Sequence, residues 1–434
     1  MAQRFDRRPS PILALCVVAW CGCGETGRAG DATEVPHVAA AGSPAGASGA
    51  GPGSGGALAS AGAEAGGRPG VGKGGAAGVN TGGDSAGGRG SRAGLQLAYV
   101  GSSNGQISIY KVGPALGQLS LLKSIDAGNY PACLAFDPSL SHLYAVNQLD
   151  GKVAAFKVDP KNGDLVLLNR VDSGGGAPAF VSVDRTGKYV MVANDTGGTT
   201  RIFPTALDGS LGDPSDSKSP GMGSRMILTD LNNKFVFVVN GGSDTISQYA
   251  FDAATGTLTP NSVPWVPVPV GSGPGRLAFH PSGKFAYLIA ELGGTLTAYS
   301  YDGALGQLSA IGPPIATLPA GVAGGSNRGA ELGVAPSGNF VYGSNLGDDS
   351  IATFAVEAAT GKLTLIGTTP SGGNLPRSFS LNLDGSLMLV ANESGNVTTF
   401  AIDVESGSLT KLKSLDVPQK PEFVGIINLP GAAP

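Results

Sequence analysis

The sequence predicts an all-β fold: a seven-bladed β-propeller of four-stranded blades, closed by pairing the C-terminal strand with the N-terminal blade. Three features predict it. A repeat of roughly fifty residues runs along the chain, each repeat holds four short β runs, and an unmatched strand stands at either end of the array.

The repeat emerges on aligning the end of a second β run: AYVGSSNG, LYAVNQLDG, VMVANDTGG, VFVVNGGSD, AYLIAELGG, VYGSNLGDD and LMLVANESG. Ser102, Asn147, Asn194, Asn240, Ala290, Asn345 and Asn392 then share one column, spaced by 45, 47, 46, 50, 55 and 47 residues. In the fifth unit the four runs are RLAFHP, KFAYLIA, TLTAYSYD and QLSAIGP, separated by SG, GG and GALG. Gly, Asp and Ser at such breaks supply tight-turn chemistry. The third turn recurs as PKNGDL, AATGTL, AATGKL and VESGSL, and no stretch has helical periodicity of useful length. The array opens at LQLAYVG, a second strand without a first. It ends at EFVGIINLP, Glu422 to Pro430, a first strand without the rest. Joining the two completes one blade and leaves no open seam.

Composition divides the chain further. Its 71 glycines and 14% charged residues average over two unlike parts. Residues 24–93 are Gly, Ala and Ser with scattered charges, have almost nothing apolar to bury, and are expected to form a disordered tether. Residues 94–434 have the composition of a globular β domain, the propeller itself. A net charge of −4 gives no global attraction to nucleic acid, which is not expected as a partner. Residues 1–23 read as a signal peptide: Arg4, Arg7 and Arg8 precede PILALCVVAW, an apolar run too short to span a bilayer. The following CGCGE resembles the bacterial lipoprotein signal, with Cys23 the preferred lipid acceptor and Cys21 second. Cleavage and secretion without lipid is the alternative. The expected location is the bacterial cell envelope, with the membrane touched only through an N-terminal lipid anchor. Cys133 is then the single cysteine of the globular part; in ACLAFDP it reads as a buried structural thiol.

In a propeller blade the first strand runs along the central channel and the second returns antiparallel. The start of the first and the end of the second therefore lie at one pole, the usual ligand site of the architecture. Aligned on the Pro of FHP, the first strands open with Ala132-Cys133, Ala179-Phe180, Ser224-Arg225, Gly275-Arg276, Ala330-Glu331 and Arg377-Ser378. Arg225, Arg276, Arg328 and Arg377 thus gather at one rim, with Glu291, Glu331 and Asn240. Guanidinium forks suit carboxylate or phosphate, so a small anionic ligand or lactone is expected, with a protein partner also open. Glu291 is placed to act as acid, base or orienting group. Each of these residues also has a structural role open to it: Asn as a strand-end cap, Arg as a tie between blades. His280 and His142 fall in turns away from the mouth and His37 in the tether. Neither a His-based metal site nor a Ser-His-Asp triad is supported, and no metal or cofactor is expected.

Three long phrases carry a family resemblance: GPGRLAFHPSGKFAYLIAELGGTLTAY, GAELGVAPSGNFVYGSNLGDDSIATFAVEAATGKLTLIG and LPRSFSLNLDGSLMLVANESGNVTTFAIDVESGSL. They resemble the lactonase family of seven-bladed propellers, which includes 6-phosphogluconolactonases and fungal muconate-lactonizing enzymes. The resemblance spans Leu95 to Pro430 and is strongest from Gly273 to Leu409. It implies a site made of an Arg in GPR, the Glu of NEL, the Arg of PR before a first strand, and a His opening an earlier first strand. Glu291 matches the Glu and Arg377 the second Arg; the GPR position is Gly275 and the His position falls on Ser224. Arg276 and Arg225 stand one residue along, and DLG becomes NGG at Asn240 to Gly242. Glu291, Arg377 and Arg276 are accordingly the catalytic candidates, with Arg225, Arg328, Asn240 and Glu331 as substrate-binding ones. The resemblance implies a lactone hydrolase; the alternative is a non-catalytic envelope binding or scaffold propeller that keeps the fold without the full site. Export argues against 6-phosphogluconolactone itself as substrate.

Overall fold

The hairpin joining first to second strand sets the local rule for six of the seven blades. Asp137, Asp184, Asp230, His280, Ala335 and Asn382 each donate a backbone N–H to the carbonyl of the residue five along, closing the turn at 2.8–3.0 Å. In three blades the Asp carboxylate braces the same turn, as where Asp230 Oδ1 accepts the N–H groups of Lys234 and Phe235 at 2.7 and 3.0 Å. His280 takes a different role, with Nδ1 2.7 Å from Ser282 and Nε2 2.9 Å from the carbonyl of Gly338 in the next blade. It is a structural histidine.

The computed structural model describes residues 94–113, 117–322 and 327–429; the signal segment 1–23 with Cys23 and Cys21, and segment 24–93, lie outside them. Among the described residues there is no helix, and the strands form seven sheets of four, one of which gains a short fifth strand. Their innermost strands, which begin at Pro131, Pro178, Ser224, Pro274, Gly329, Pro376 and Pro421, each touch the next in cyclic order. The sheets therefore stand around a central axis. The final strand, Pro421–Leu429, pairs antiparallel with Leu95–Ser102 from Leu95↔Leu429 to Ser102↔Pro421. Seven blades close by that seam.

Blade stacking explains why the hydrophobic pattern lacks a polar alternate. Second strands such as Tyr189–Asn194 are buried at every position because a neighbouring blade covers each face. Outer strands such as Leu119–Asp126 are mostly exposed. Second-strand tyrosines stitch blade to blade: Tyr99, Tyr144 and Tyr342 donate to the carbonyls of Gly163, Gly209 and Gly407 at 2.7–3.0 Å. The recurring third turn is thus a docking point. Gly256 adopts φ +71, and a Cβ there would lie 2.2 Å from the Tyr189 ring of the preceding blade. The two long spacings also have causes. The fourth blade has an eleven-residue outer strand, Thr257–Pro267. The fifth breaks its outer strand at Gly312-Pro313-Pro314 and resumes pairing at Ile315–Ala316, since proline cannot donate to a ladder.

Candidate active site

A β-bulge opens every innermost strand, and it decides which side chains reach the mouth. Pairing skips a residue between Pro131 and Cys133, Pro178 and Phe180, Ser224 and Met226, Pro274 and Arg276, and Pro376 and Ser378. The bulged residues are Ala132, Ala179, Arg225, Gly275 and Arg377, with Glu422 equivalent in the closing strand. An extra residue bends the strand and re-aims its side chain. This corrects one expectation from sequence: Arg225 is not one residue along. Ser224 pairs with Asn240 as Pro274 pairs with Ala290, so Arg225 shares the column of Gly275 and Arg377. Arg276 does stand one residue further on, with Cys133, Phe180, Met226 and Ser378.

Glu291 is the centre of the mouth. Its backbone N–H donates to the Gly273 carbonyl at 2.8 Å and its carbonyl accepts from Gly329 at 3.0 Å, locking it between its own blade and the next. Arg225 Nη1 donates to Oε2 and Arg328 Nη2 to Oε1, one arginine from each flanking blade. Arg225 Nε also lies 3.7 Å from Asp195 Oδ1. Glu291 thus ends its hairpin on a charge because that charge is the meeting point of three blades.

Arg276 turns inward instead. It is buried, its Nη1 donates to the carbonyls of Arg225 at 3.1 Å and Gly275 at 3.3 Å, and its guanidinium lies 5.5 Å from the Phe180 ring centroid. Glu331, fully buried beside it, has its carboxyl pushed well above the usual range by burial, with Arg276 pulling the other way. Cys133, Phe180, Met226 and Ser378, in the column of Arg276, are likewise without measurable exposure.

Arg377 belongs to a second cluster on the same rim. Its Nε lies 3.1 Å from Glu393 Oε1 and 3.6 Å from Glu422 Oε2. Tyr130 hydrogen-bonds Glu422. Burial raises the Glu422 carboxyl and the Tyr130 phenol, while Arg377 lowers both.

The structure therefore joins Glu291 with Arg225 and Arg328, sets Arg276 with Glu331 beneath them, and gives Arg377 to Glu393 and Glu422. Asn240 is fully buried, its amide held by Ser224, Thr245 and Ser247 at 3.0–3.2 Å. The other strand-end asparagines behave alike; Asn147 and Asn194 donate to the carbonyls of Ala127 and Ser173. Their role is to cap. Sequence reasoning missed Asp195, Glu393, Glu422 and Tyr130 as partners. The available signal was positional, since Asp195 and Glu393 directly follow the Asn column and Glu422 falls in the column of Arg377.

Known proteins agree with this architecture. Residues 97–425 match the family described as "Lactonase, 7-bladed beta-propeller". The chain is 32% identical over 326 residues to the 6-phosphogluconolactonase of Formosa agariphila, covering 70% of this chain and 91% of that one. It is 29% identical over 339 residues to the 6-phosphogluconolactonase of Pectobacterium carotovorum, covering 77% and 99%. Among solved structures, the periplasmic gluconolactonase of Pseudomonas aeruginosa is similar at a TM-score of 0.72 and 26% identity, over 77% of this chain and 100% of that one. The chain belongs to the lactonase family of seven-bladed β-propellers.

Proposed function

We propose that the propeller hydrolyses a small sugar lactone at the mouth built around Glu291. One observation carries this: a single carboxylate held by guanidinium groups from both flanking blades. Each Glu291 oxygen keeps a lone pair beyond its arginine contact, and a guanidinium carries five N–H donors in a planar fork. A water lying against Glu291 loses its proton to the carboxylate as its oxygen bonds to the lactone carbonyl carbon. The guanidinium groups of Arg225 and Arg328 stabilise the oxyanion that forms. The bond from that carbon to the ring oxygen then breaks, and Glu291 returns the proton to the departing alkoxide.

The test is hydrolysis of glucono-δ-lactone above its spontaneous rate. Glu291→Gln should lower kcat by about a hundredfold or more, the usual worth of a positioned acid–base group, with the fold retained by circular dichroism. Equal rates for wild type, Glu291→Gln and buffer would leave a binding or scaffold propeller.

We also propose that this domain works in the cell envelope. Support comes from the basic-then-apolar start, the Cys23 context, and the periplasmic location of the Pseudomonas aeruginosa relative. Labelling cells with a palmitate analogue should mark the wild type and not Cys23→Ser; an unlabelled chain in the soluble cytoplasmic fraction would refute it.

A further inference from the structure

Four arginines at one rim suggest an anionic ligand, but each is already matched by acid. The mouth divides into charges that water reaches and charges that it does not. Arg276 and Arg377 are only 3% and 8% exposed and face Glu331 and Glu422, at 1% and 2%. The side chains that water reaches are Arg225 at 19% and Arg328 at 31%, against Glu291 at 12%, Asp195 at 22% and Glu393 at 17%. Two accessible cations stand against three accessible acids. Lys420, exposed beside Glu422, adds one cation, while Asp150 and Asp349 add acids on neighbouring loops. The stretch before Arg328, residues 323–326, is Ala-Gly-Gly-Ser and carries no charge.

Glu393 matters most in this balance. It sits on Arg377 Nε at 3.1 Å and is the member of that pair nearer to water. An incoming phosphate or carboxylate meets Glu393 before it meets the arginine, and like charge at contact is strongly unfavourable. An uncharged ring with hydroxyl groups pays no such penalty, since carboxylates accept hydrogen bonds from hydroxyls.

Resting on the lactone-hydrolase reading above, we propose that the mouth selects uncharged sugar lactones over phosphorylated or carboxylated ones, and that Glu393 is the residue that excludes the anions by masking Arg377.

The full chain is assayed with glucono-δ-lactone and 6-phosphogluconolactone. The expected kcat/KM favours the uncharged lactone by about tenfold or more. Glu393→Gln, which keeps the shape and removes the charge, should narrow that ratio by about tenfold, chiefly through a lower KM for the phosphorylated lactone. Raising ionic strength should narrow the wild-type ratio in the same direction, because screening weakens exposed charges. A wild-type preference for the phosphorylated lactone, or a ratio unmoved by both Glu393→Gln and salt, overturns the inference. Calorimetry with inorganic phosphate separates this from loss of the lactonase reading: should neither lactone be turned over, phosphate must still bind Glu393→Gln more tightly than wild type. Tight phosphate binding by wild type also overturns it.

Discussion

On one side of the mouth a single carboxylate holds two arginines; on the other a single arginine lies among two carboxylates. Glu291 takes Arg225 and Arg328 from the blades on either side of its own, and all three keep some contact with water. Arg377 takes Glu393 from its own blade and Glu422 from the closing strand, with Tyr130 of a third blade behind. The residue types are the same and the stoichiometry is inverted. The half-open cluster can trade a protein contact for a ligand contact at low cost. The other trades less readily, because Arg377 and Glu422 have left water and depend on each other, and only Glu393 keeps contact with it. Arg377 is therefore an architectural residue first, tying the seam to the last full blade, whatever it adds to chemistry.

The hardest way to strain that contrast is to remove the seam. Deleting residues 421–429 strips the first blade of its innermost strand and exposes its partners along Leu95–Ser102. Loss of the cooperative melting transition is expected, read by near-ultraviolet circular dichroism. A milder cut, Phe423→Ala, should cost about 3–5 kcal/mol in urea denaturation, the usual figure for a buried Phe, since Phe423 has no exposure. Retention of a wild-type transition by the deletion would mean the ring does not depend on its closure.

Next in size is the direct comparison of arginines. Arg377→Ala leaves buried Glu422 facing Glu393 without the guanidinium between them and should destabilise by about 3–5 kcal/mol. Arg328→Ala removes a more exposed partner and should cost no more than about 1 kcal/mol, while lowering lactone turnover. Equal losses of stability from the two variants would erase the distinction between a working half and a structural half of the mouth.

How far these halves could be read from sequence follows from what each depends on. The ring was legible because the Asn column, the third-turn glycines and the two end strands are local signals repeated at a fixed spacing. Glu291 was legible for the same reason, as the one acidic residue just past Ala290 in that column's fifth unit. The aim of the arginines was not. A bulge adds a residue without leaving a mark on hydrophobicity, so strand parity does not tell which side chain turns to the mouth. Arg225 stands five residues before Asp230, as Gly275 does before His280 and Arg377 before Asn382, so its column could be counted from the turn and the expectation was one residue off. Pairing was hidden for a different reason: Arg377 meets Glu422 through the closing strand, and no local pattern encodes a charge balance assembled from separate blades.

The smallest expected effect probes the buried half through pH. Glu422 has its carboxyl raised above the ordinary glutamate value, first by burial, with Arg377 opposing and Glu393 adding to the rise. A raised acid means that, between its unfolded and folded values, the native state holds more protons than the unfolded chain. Stability contributed at this site is therefore greatest below the ordinary glutamate value and falls as pH climbs through the raised one. Gln at this position cannot ionise and mimics the protonated form. In urea denaturation at about pH 4.5 and about pH 7.5, Glu422→Gln should lose less stability with rising pH than wild type. Part of the slope should remain, because Glu331 is shifted in the same direction and is untouched. If the variant instead fell further behind wild type at the higher pH, ionised Glu422 would be a net stabiliser. Arg377 would then be attracting it by more than burial costs, and the two halves of the mouth would work by the same balance after all.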